Sequence, residues 1–294
     1  MADLLDTVVR FHDVNRLPEL RRCVFSLVGQ SYRPLRIILA VQRFSDADIA
    51  TVRQELAPLL AGPDAPELAF VNWTDEKPRD ARSVLLNLGV AAARGRYLAF
   101  LDYDDVLYPE AYTMMVDRLA QTGAVIAFSS VRVLRVDVYD QFMYAAGTVI
   151  PAFGSGASLL DLFRNNFCPL HSYVMDRSAI PATSLTFKTD LLFEEDYDVL
   201  LRICAEKPAD FALVNTRIGD YYFKTDGSNT VPADGRVPGS EHRYQGVREA
   251  IEERKRKTMV PPPILASLGL PADIGPLSIR QVLDKFGVPL RSHA

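Results

Sequence analysis

Residues 97–109 read YLAFLDYDDVLYP, where an apolar run ends in three carboxylates within four positions: Asp102, Asp104 and Asp105. Like charges this close repel one another and are costly to remove from water, so something must compensate them. The compensation comes from a metal ion, from basic side chains or from exposure to water. Hard divalent cations such as Mg²⁺ bind carboxylate oxygens, and the two-residue period of an extended chain puts Asp102 and Asp104 on one side. We therefore expect these two side chains to bind a cation and a hydroxyl of the ligand.

A purely structural role is the alternative for this acidic stretch. Aspartates stabilise the first turn of a helix, and Asp105 is interpreted equally well as a cap of the helix that follows. A plain turn needs one aspartate rather than three, which favours function for Asp102 and Asp104.

A second acidic cluster, Glu194-Glu195-Asp196, opens a helical stretch that continues YDVLLRI. Acidic residues in a first helical turn complement the helix dipole. A carboxylate in a partly desolvated cleft can also act as a general base and remove a proton from an attacking hydroxyl. The spacing alone leaves both interpretations open.

The elements that must position these residues alternate between strand and helix. The apolar runs predict strands, and the helical spacing of apolar residues predicts helices between them. Such β-α-β units indicate a doubly wound α/β sheet, whose ligands bind beyond the carboxyl ends of the strands. Gln42 and Asp102–Asp105 lie at those ends. The expected strands are Thr7–Phe11, Leu35–Val41, Leu68–Val71 and Tyr97–Leu101, and the expected helices are Leu17–Gln30, Asp46–Leu60 and Ala81–Arg94.

The second half of the chain has a looser pattern. A helix is expected at Ala111–Gln121, then a long strand at Val125–Val138 that pairs with Tyr144–Ile150. After the helix at Phe193–Glu206 the pattern predicts two strands, Phe211–Asn215 and Asp220–Lys224, and then a charged helix, Glu241–Lys257, that leads into a C-terminal appendage.

Composition narrows the class of protein. The 294 residues are 48% hydrophobic, which is enough for a substantial core. A net charge of −4 gives no reason to expect a nucleic-acid partner. The three cysteines are too few and too scattered for a disulfide framework, and no apolar run approaches the roughly 20 residues that span a bilayer. We expect a protein without a transmembrane segment that works in the cytoplasm, with peripheral contact at the inner face of the membrane left open.

Four segments in order resemble one known family. NLGVAAARGRYLAFLDYDDVLYP (Asn87–Pro109) resembles the N-x-G helix, strand and LDxDD motif of family 2 glycosyltransferases with the GT-A fold. TVVRFHD (Thr7–Asp13) is similar to the first strand and nucleotide-contacting loop of that family, and LRRCVFSLVGQSYRPLRIILA (Leu20–Ala40) is similar to its helix and second strand. EEDYDVLLRI (Glu194–Ile203) resembles its "ED" motif. The likeness covers about residues 5–230.

The resemblance implies a fold and a division of the chain. The fold is α/β of the GT-A type, a Rossmann-like doubly wound mixed sheet with helices on both faces, plus a mostly helical C-terminal appendage. Residues 1–230 would form the glycosyltransferase domain, with a nucleotide-sugar-binding half at 1–108 and an acceptor-binding half at 109–230. Residues 231–294 would form a loop and a helical C-terminal extension.

The resemblance also implies an activity, a cofactor and partners. The donor would be a nucleoside-diphosphate sugar, with a UDP-sugar favoured, and the acceptor a glycan or a lipid-linked molecule. Asp102 would contact the ribose or the sugar, and Asp104 would bind Mn²⁺ or Mg²⁺ that bridges the diphosphate. The metal would neutralise charge on the leaving group, and Asp196 would act as the catalytic base, so that the sugar is transferred with inversion.

Further binding residues follow from the same comparison. Arg10, Phe11 and Asp13 lie in the loop after the first strand, where Arg10 either contacts phosphate or pairs with the acidic clusters. Arg82 precedes the Asn87 helix, and its guanidinium fork suits phosphate oxygens. On the acceptor side we expect Glu195 and His171, although a lone histidine is more often structural.

Three features depart from the family pattern, the first being Arg10, which stands where proline is common. Val41 and Gln42 stand where the family carries an aspartate pair that reads the base, and the Gln42 amide can still donate and accept hydrogen bonds there. Asp226 stands where many members have a histidine that helps to bind the metal or the diphosphate. An aspartate suits a hard metal but adds negative charge near phosphates, which Lys224 would offset.

Two other functions compete with this interpretation. FLDYDDVL superficially resembles the nucleophile motif of haloacid-dehalogenase-type phosphatases, but that motif normally follows the first strand, whereas three β-α units come before it here. A non-catalytic nucleotide-sugar-binding or scaffold domain of a polysaccharide assembly system is the other alternative, which the altered Val41-Gln42 pair favours. A catalytic base at Asp196 would be superfluous in such a domain. We therefore expect a metal-dependent, inverting glycosyltransferase.

Overall fold

The computed structural model describes residues 2–139, 142–148, 158–191, 193–226, 229, 241–271 and 273–287. The strands are β1 (Leu5–Phe11), β2 (Leu35–Gln42), β3 (Glu67–Trp73), β4 (Tyr97–Asp102), β5 (Val106–Leu107), β6 (Ile126–Tyr139), β7 (Phe142–Thr148), β8 (Tyr173–Asp176), β9 (Ala209–Lys224), β10 (Met259–Val260) and β11 (Leu277–Ser278). The helices are α1 (Leu17–Val28), α2 (Asp46–Leu56), α3 (Arg82–Ala92), α4 (Ala111–Thr122), α5 (Leu159–Arg164), α6 (Glu195–Glu206), α7 (Glu241–Lys257), α8 (Pro262–Ser267) and α9 (Ile279–Lys285).

The first half of the main sheet is parallel. Its strands follow the order β3-β2-β1-β4, and β2 is buried along its whole length except at Gln42, because helices cover both faces. The four predicted strands are confirmed with small shifts at their ends. The predicted helix at Asp46–Leu60 stops earlier, since α2 ends at Leu56 and only turns follow.

The second half of the sheet is mixed. β8 runs antiparallel to β4 and to β6, β9 runs parallel to β6, β5 pairs with β9, and β7 forms a hairpin with β6. The prediction of two separate strands after α6 is wrong, because β9 is one strand of 16 residues. Its pairing with β6 changes register on both sides of Ser129, so residues 216–219, between the two predicted strands, are accommodated without a break.

Two hydrophobic layers enclose the sheet. Side chains of α1, α2 and α4, such as Leu20, Val52 and Tyr112, pack in one layer. Those of α3 and α5–α9 pack in the other, where Leu86 of α3 and Val282 of α9 belong to the same core cluster. This is the predicted doubly wound mixed sheet with helices on both faces.

The C-terminal helices are part of that second layer. α7, α8 and α9 contribute Ile251, Leu265 and Val282 to the core, and Arg254 of α7 donates to Asp198 of α6 at 2.7 Å. The predicted boundary between residues 230 and 231 lies outside the described residues, and the division into two halves and an extension stays a prediction. Within the described ranges, none of the helices combines the length and the apolar character needed to cross a membrane.

Candidate active site

The acidic residues lie at one edge of the sheet, where β1 and β4 end side by side. Arg10 of β1 is the register partner of Asp102, the last residue of β4. The Arg10 guanidinium donates from Nε and Nη2 to the two carboxylate oxygens of Asp102, each at 2.7 Å. Burial raises the pKa of Asp102, but the charge and hydrogen bonds of Arg10 outweigh it, so the pKa lies below its ordinary value.

The same arginine reaches the second acidic cluster. Arg10 Nη1 donates to Glu195 Oε1 at 2.8 Å, and Glu195 is the first residue of α6. Its side chain is only 9% exposed, so the charge of Glu195 is compensated inside the protein rather than by water. The two acidic motifs, which are nearly 100 residues apart in sequence, therefore meet on one guanidinium. Of the two interpretations of Arg10, the structure shows pairing with the acidic clusters.

Asp104 has a basic partner of its own. Lys224, the last residue of β9, places Nζ 2.6 Å from Asp104 Oδ2, and the side chains are 2% and 21% exposed. The main-chain carbonyl of Asp104 accepts from Arg22 Nη2 at 3.0 Å. Two of the three clustered carboxylates are thus compensated by basic side chains.

Asp105 has a structural role that differs from the expected helix cap. The residue precedes β5, and α4 begins only at Ala111, so no helix follows directly. Its Oδ1 accepts from the backbone N–H of Tyr222 at 2.9 Å, which connects the turn after β4 to β9. Burial and the charges of Asp104 and Asp102 raise the pKa of Asp105 well above its ordinary range. Of the two interpretations of Asp105, the one as a helix cap is wrong, because the chain enters another strand at this point.

His171 is buried next to Asp105, at the edge of the sheet where the acidic residues lie. It is 2% exposed, its ring is stacked on Tyr221, and Nδ1 is 3.5 Å from Asp105 Oδ2. Burial lowers the pKa of His171 to about 4, so the imidazole is neutral at neutral pH. Its Nε2 is buried without a hydrogen-bond partner among the described residues. An acceptor-side role for His171 stays a prediction.

Asp196 lies in the first turn of α6, next to Glu195, but it does not share the ion pair of Glu195 with Arg10. Its Oδ1 accepts from the backbone N–H of Tyr197 at 2.7 Å and lies 3.5 Å from Asn166 Nδ2. Burial, followed by the charges of Glu195 and Glu194, raises the pKa of Asp196 to about 8. A carboxylate with such a pKa holds a proton more readily than an ordinary one, as a general base must. Asn166 was not predicted, since its contact depends on the fold and the pattern NNFCPLH carries no periodic signal.

The Gln42 amide is used by the protein itself. Its Nε2 donates to the Arg79 carbonyl at 2.8 Å, and its Oε1 accepts from the Ala81 N–H at 3.3 Å. In the same loop, Arg82 Nη2 donates to Asp80 Oδ2 at 2.6 Å. Gln42 and Arg82 therefore shape the segment that enters α3, and their contacts with a nucleotide stay predictions.

The remaining predicted residues surround the loop after β1. Phe11 is buried and makes edge-to-face contacts with Phe44 and Tyr103, with ring centroids 5.5 and 5.3 Å apart. Asp13 caps a short 3₁₀ helix by accepting from the Asn15 N–H at 2.9 Å. Asp226 Oδ2 lies 3.6 Å from Arg16 Nη2. The structure assigns these residues local structural contacts, and their ligand contacts stay predictions.

A divalent cation at this edge would need ligands in addition to the side chains of the protein. Within the parts of the chain that the structure describes, no three His, Cys, Asp or Glu side chains are grouped to hold a metal by themselves. Asp104 offers a partly exposed carboxylate at the strand end. Mg²⁺ and similar ions are commonly held by one or two carboxylates together with substrate phosphates and water.

Comparison with known proteins agrees with this geometry. The family model for glycosyl transferase family 2 matches residues 14–179, which confirms the resemblance found in the sequence. The succinoglycan biosynthesis protein ExoO of Rhizobium meliloti (strain 1021) is 28% identical over 206 residues, which cover 59% of this chain and 59% of ExoO. The chain thus spans well under two thirds of the length of that relative.

Solved structures share the fold at low sequence identity. S. aureus TarS (residues 1–349) superposes with a TM-score of 0.54 at 12% identity. The superposition covers 86% of this chain and 66% of the TarS chain. The mannosyltransferase PcManGT from Pyrobaculum calidifontis, in complex with GDP-Man and Mn²⁺, gives a TM-score of 0.52 at 14% identity and covers 98% and 80%. TarS has also been solved with UDP-GlcNAc. These neighbours confirm the GT-A fold.

Proposed function

The chain belongs to glycosyl transferase family 2, and from this premise we propose that it is a metal-dependent, inverting glycosyltransferase. It transfers a sugar from a nucleoside-diphosphate sugar to a hydroxyl group of a glycan or a lipid-linked acceptor. The observation that carries the proposal is the contact of Arg10 with both Asp102 and Glu195, since it brings the two acidic motifs to one edge of the sheet.

Asp196 is the proposed catalytic base. It removes the proton from the acceptor hydroxyl as that oxygen attacks the anomeric carbon, and a single displacement inverts the configuration. Its raised pKa supports this role, because the protonated carboxyl formed in the reaction is stabilised by burial and by the neighbouring acidic residues. Glu195 is paired with Arg10, whereas the Asp196 carboxylate accepts from the uncharged N–H groups of Tyr197 and Asn166.

The donor is proposed to be a UDP-sugar. TarS binds UDP-GlcNAc and PcManGT binds GDP-Man, so nucleotide-sugars with either base are known among the structural neighbours. Asp102 contacts the ribose or the sugar through lone pairs that Arg10 leaves available. Arg82 binds diphosphate oxygens, and Gln42 lies on the base side together with the loop of Phe11 and Asp13.

Mn²⁺ or Mg²⁺ is the proposed cofactor. Asp104 would hold it, with Asp226 as a second candidate ligand, and the bound cation would stabilise negative charge on the departing nucleoside diphosphate. PcManGT was solved with Mn²⁺, which supports the choice of metal.

The acceptor is proposed to be a growing polysaccharide or its lipid-linked precursor. The name of the relative ExoO refers to succinoglycan biosynthesis, which supports this class of acceptor. Glu195 and His171 belong to the acceptor side in this proposal. We place the reaction in the cytoplasm or at the inner face of the membrane.

Replacement of the base tests the catalytic assignment. Asp196→Asn is expected to lower kcat by at least about a hundredfold, as expected for loss of general base catalysis, while the affinity for the donor stays within about twofold. Asp210→Asn is a matched control, since the side chain of Asp210 is 9% exposed and pairs with Arg118 rather than with a residue of the proposed site. Equal turnover by wild type and Asp196→Asn would refute the assignment.

Replacement of the proposed metal ligand tests the cofactor. Ligands that bind only the native state raise its apparent stability, so UDP plus Mn²⁺ should shift the melting temperature of the wild-type protein more than UDP alone. Asp104→Asn should abolish the additional shift that Mn²⁺ causes. A full Mn²⁺-dependent shift in Asp104→Asn would exclude Asp104 as the ligand, and donor binding without transfer to any acceptor would favour the non-catalytic scaffold.

A further inference from the structure

The Lys224 ammonium pairs with Asp104, the proposed metal ligand. Nζ lies 2.6 Å from Asp104 Oδ2, and the lysine side chain is only 2% exposed. The charge of this aspartate is therefore compensated by a side chain of the protein itself. A free divalent cation gains little attraction at a compensated carboxylate and is repelled by the ammonium beside it.

The neighbouring carboxylates do not make up for this loss. Both oxygens of Asp102 accept from Arg10, and the same guanidinium pairs with Glu195. Asp102 and Glu195 thus share one basic partner, whereas Asp105 is buried and its Oδ1 accepts from the backbone N–H of Tyr222. At this edge of the sheet, Arg10 and Lys224 thus offset part of the negative charge of the two acidic motifs.

The backbone at Lys224 is held in place by hydrogen bonds with Asn229. Asn229 accepts from the Lys224 N–H at 2.9 Å and donates to the Lys224 carbonyl, so the end of β9 is held at two points. The lysine stem is long and rotatable, and its ammonium can exchange one anionic partner for another. The Tyr103 ring, whose centroid is 5.6 Å from Nζ, forms one wall of the space in which the ammonium lies.

We propose that Lys224 is a resident counter-cation of Asp104 that makes metal binding conditional on the diphosphate of the donor. Without a nucleotide, Lys224 holds Asp104 and excludes the free metal ion. When the diphosphate arrives, its negative charge stabilises both the ammonium and the metal ion, so Lys224 releases Asp104 to the metal. This inference rests on the proposed metal-dependent function and deepens it, because it assigns an order to the binding of metal and donor.

The test compares Mn²⁺ binding with and without UDP on the full chain. Free Mn²⁺ gives a strong electron paramagnetic resonance signal that is lost on binding, so dissociation constants are measured without any turnover. For wild type we expect UDP to tighten Mn²⁺ binding by about a hundredfold, near the upper end of typical coupling between two ligands. Lys224→Met should tighten the binding of Mn²⁺ alone by about tenfold and reduce the enhancement by UDP to the same extent.

Two variants control for charge and for folding. Lys224→Arg keeps the positive charge and should leave the affinity for Mn²⁺ alone close to that of wild type. Lys255→Met removes a similarly buried lysine, whose side chain is 5% exposed and pairs with Glu252 rather than with Asp104, and should not change Mn²⁺ binding. In Lys224→Met/Asp104→Asn, the gain in affinity should disappear, because the carboxylate that Lys224 protects is no longer charged.

The outcomes separate this inference from the proposed function. If wild type binds Mn²⁺ only with UDP but Lys224→Met binds Mn²⁺ alone no more tightly than wild type, the role of Lys224 is refuted and the metal-dependent function stands. If wild type fails to bind Mn²⁺ even with UDP, both the proposed metal dependence and the proposed role of Lys224 are refuted. Tight binding of Mn²⁺ alone by wild type also refutes the role of Lys224.

Discussion

Arg10 and Glu195 are 185 residues apart in the chain, yet Arg10 Nη1 and Glu195 Oε1 are 2.8 Å apart in the structure. Because Arg10 also holds both oxygens of Asp102, one side chain connects β1, the end of β4 and the first turn of α6. The proposed donor-binding and catalytic motifs therefore depend on the same guanidinium for their relative position.

Removal of this guanidinium should destabilise the protein. Arg10→Met leaves Asp102 and Glu195 without their basic partner, and we expect the free energy of unfolding to fall by about 3 kcal/mol, which is typical when one member of a buried ion pair is lost. Urea denaturation measures the change. Arg21→Met is the control, since Arg21 pairs with Glu55 at 3.4 Å on the surface and should cost less than about 1 kcal/mol. Equal losses in the two variants would contradict the central role of Arg10.

The activity should follow the ionisation of Asp196. Burial and the charges of Glu195 and Glu194 raise its pKa from 3.8 to about 8, and a base must be deprotonated to act. We therefore expect kcat/KM to rise with pH and to level off above about 8. Glu195→Gln removes one of the charges that raise this pKa, so the rise should occur at lower pH, whereas Glu206→Gln at the far end of α6 should leave it unchanged. A pH profile that is identical in all three proteins would contradict the electrostatic cause.

The same ionisation should affect stability. Between pH 3.8 and about 8, the folded protein retains the Asp196 proton that the unfolded chain has lost. The free energy of unfolding should therefore decrease as the pH rises through this window, because the unfolded state binds fewer protons. Asp196→Asn removes this contribution, so its stability relative to wild type should increase from pH 4 to pH 8. Urea unfolding at several pH values measures the difference, and a constant difference would contradict the raised pKa.

Gln42 should affect donor binding through the loop before α3. Its amide holds the carbonyl of Arg79 and the N–H of Ala81, so Gln42→Ala frees this loop. We expect the KM for the donor to rise about tenfold, the effect of about 1.4 kcal/mol of lost binding, with kcat nearly unchanged. Gln54→Ala, which removes an exposed amide from α2, is the control and should change neither constant. A fall in kcat at unchanged KM would contradict a binding role.

The glycine of the NLG segment should not tolerate a side chain. A Cβ at Gly89 would lie 2.2 Å from Val8 Cγ1, because α3 packs directly on β1 at this point. Gly89→Ala should cost about 2 kcal/mol by overpacking. Gly246→Ala in α7 meets no atom within 4 Å and should instead stabilise the protein by up to about 1 kcal/mol, since alanine favours helix. Thermal unfolding compares the two, and the same sign for both changes would contradict the close packing of α3.

Much of the fold was predictable because local patterns determine it. The apolar runs of β1–β4 and the helical spacing between them predict a doubly wound sheet, and the position of Asp102 at a strand end follows from the same patterns. β8 was not predicted, because its four buried residues show neither the two-residue alternation of a strand nor the spacing of a helix. β9 was predicted as two strands, because the bulges opposite Ser129 interrupt its pattern.

The amino-acid sequence by itself determined which residues stand at the strand ends and in the first turn of α6, and hence that acidic groups would gather there. Only the tertiary structure decided how that charge is compensated: Arg10 joins Asp102 to Glu195, Lys224 holds Asp104, and Asp105 accepts from Tyr222. The physical reason is that a charge selects its partner by distance in space. The residues involved come from strands and helices that are far apart in the chain, so no local period encodes their contact.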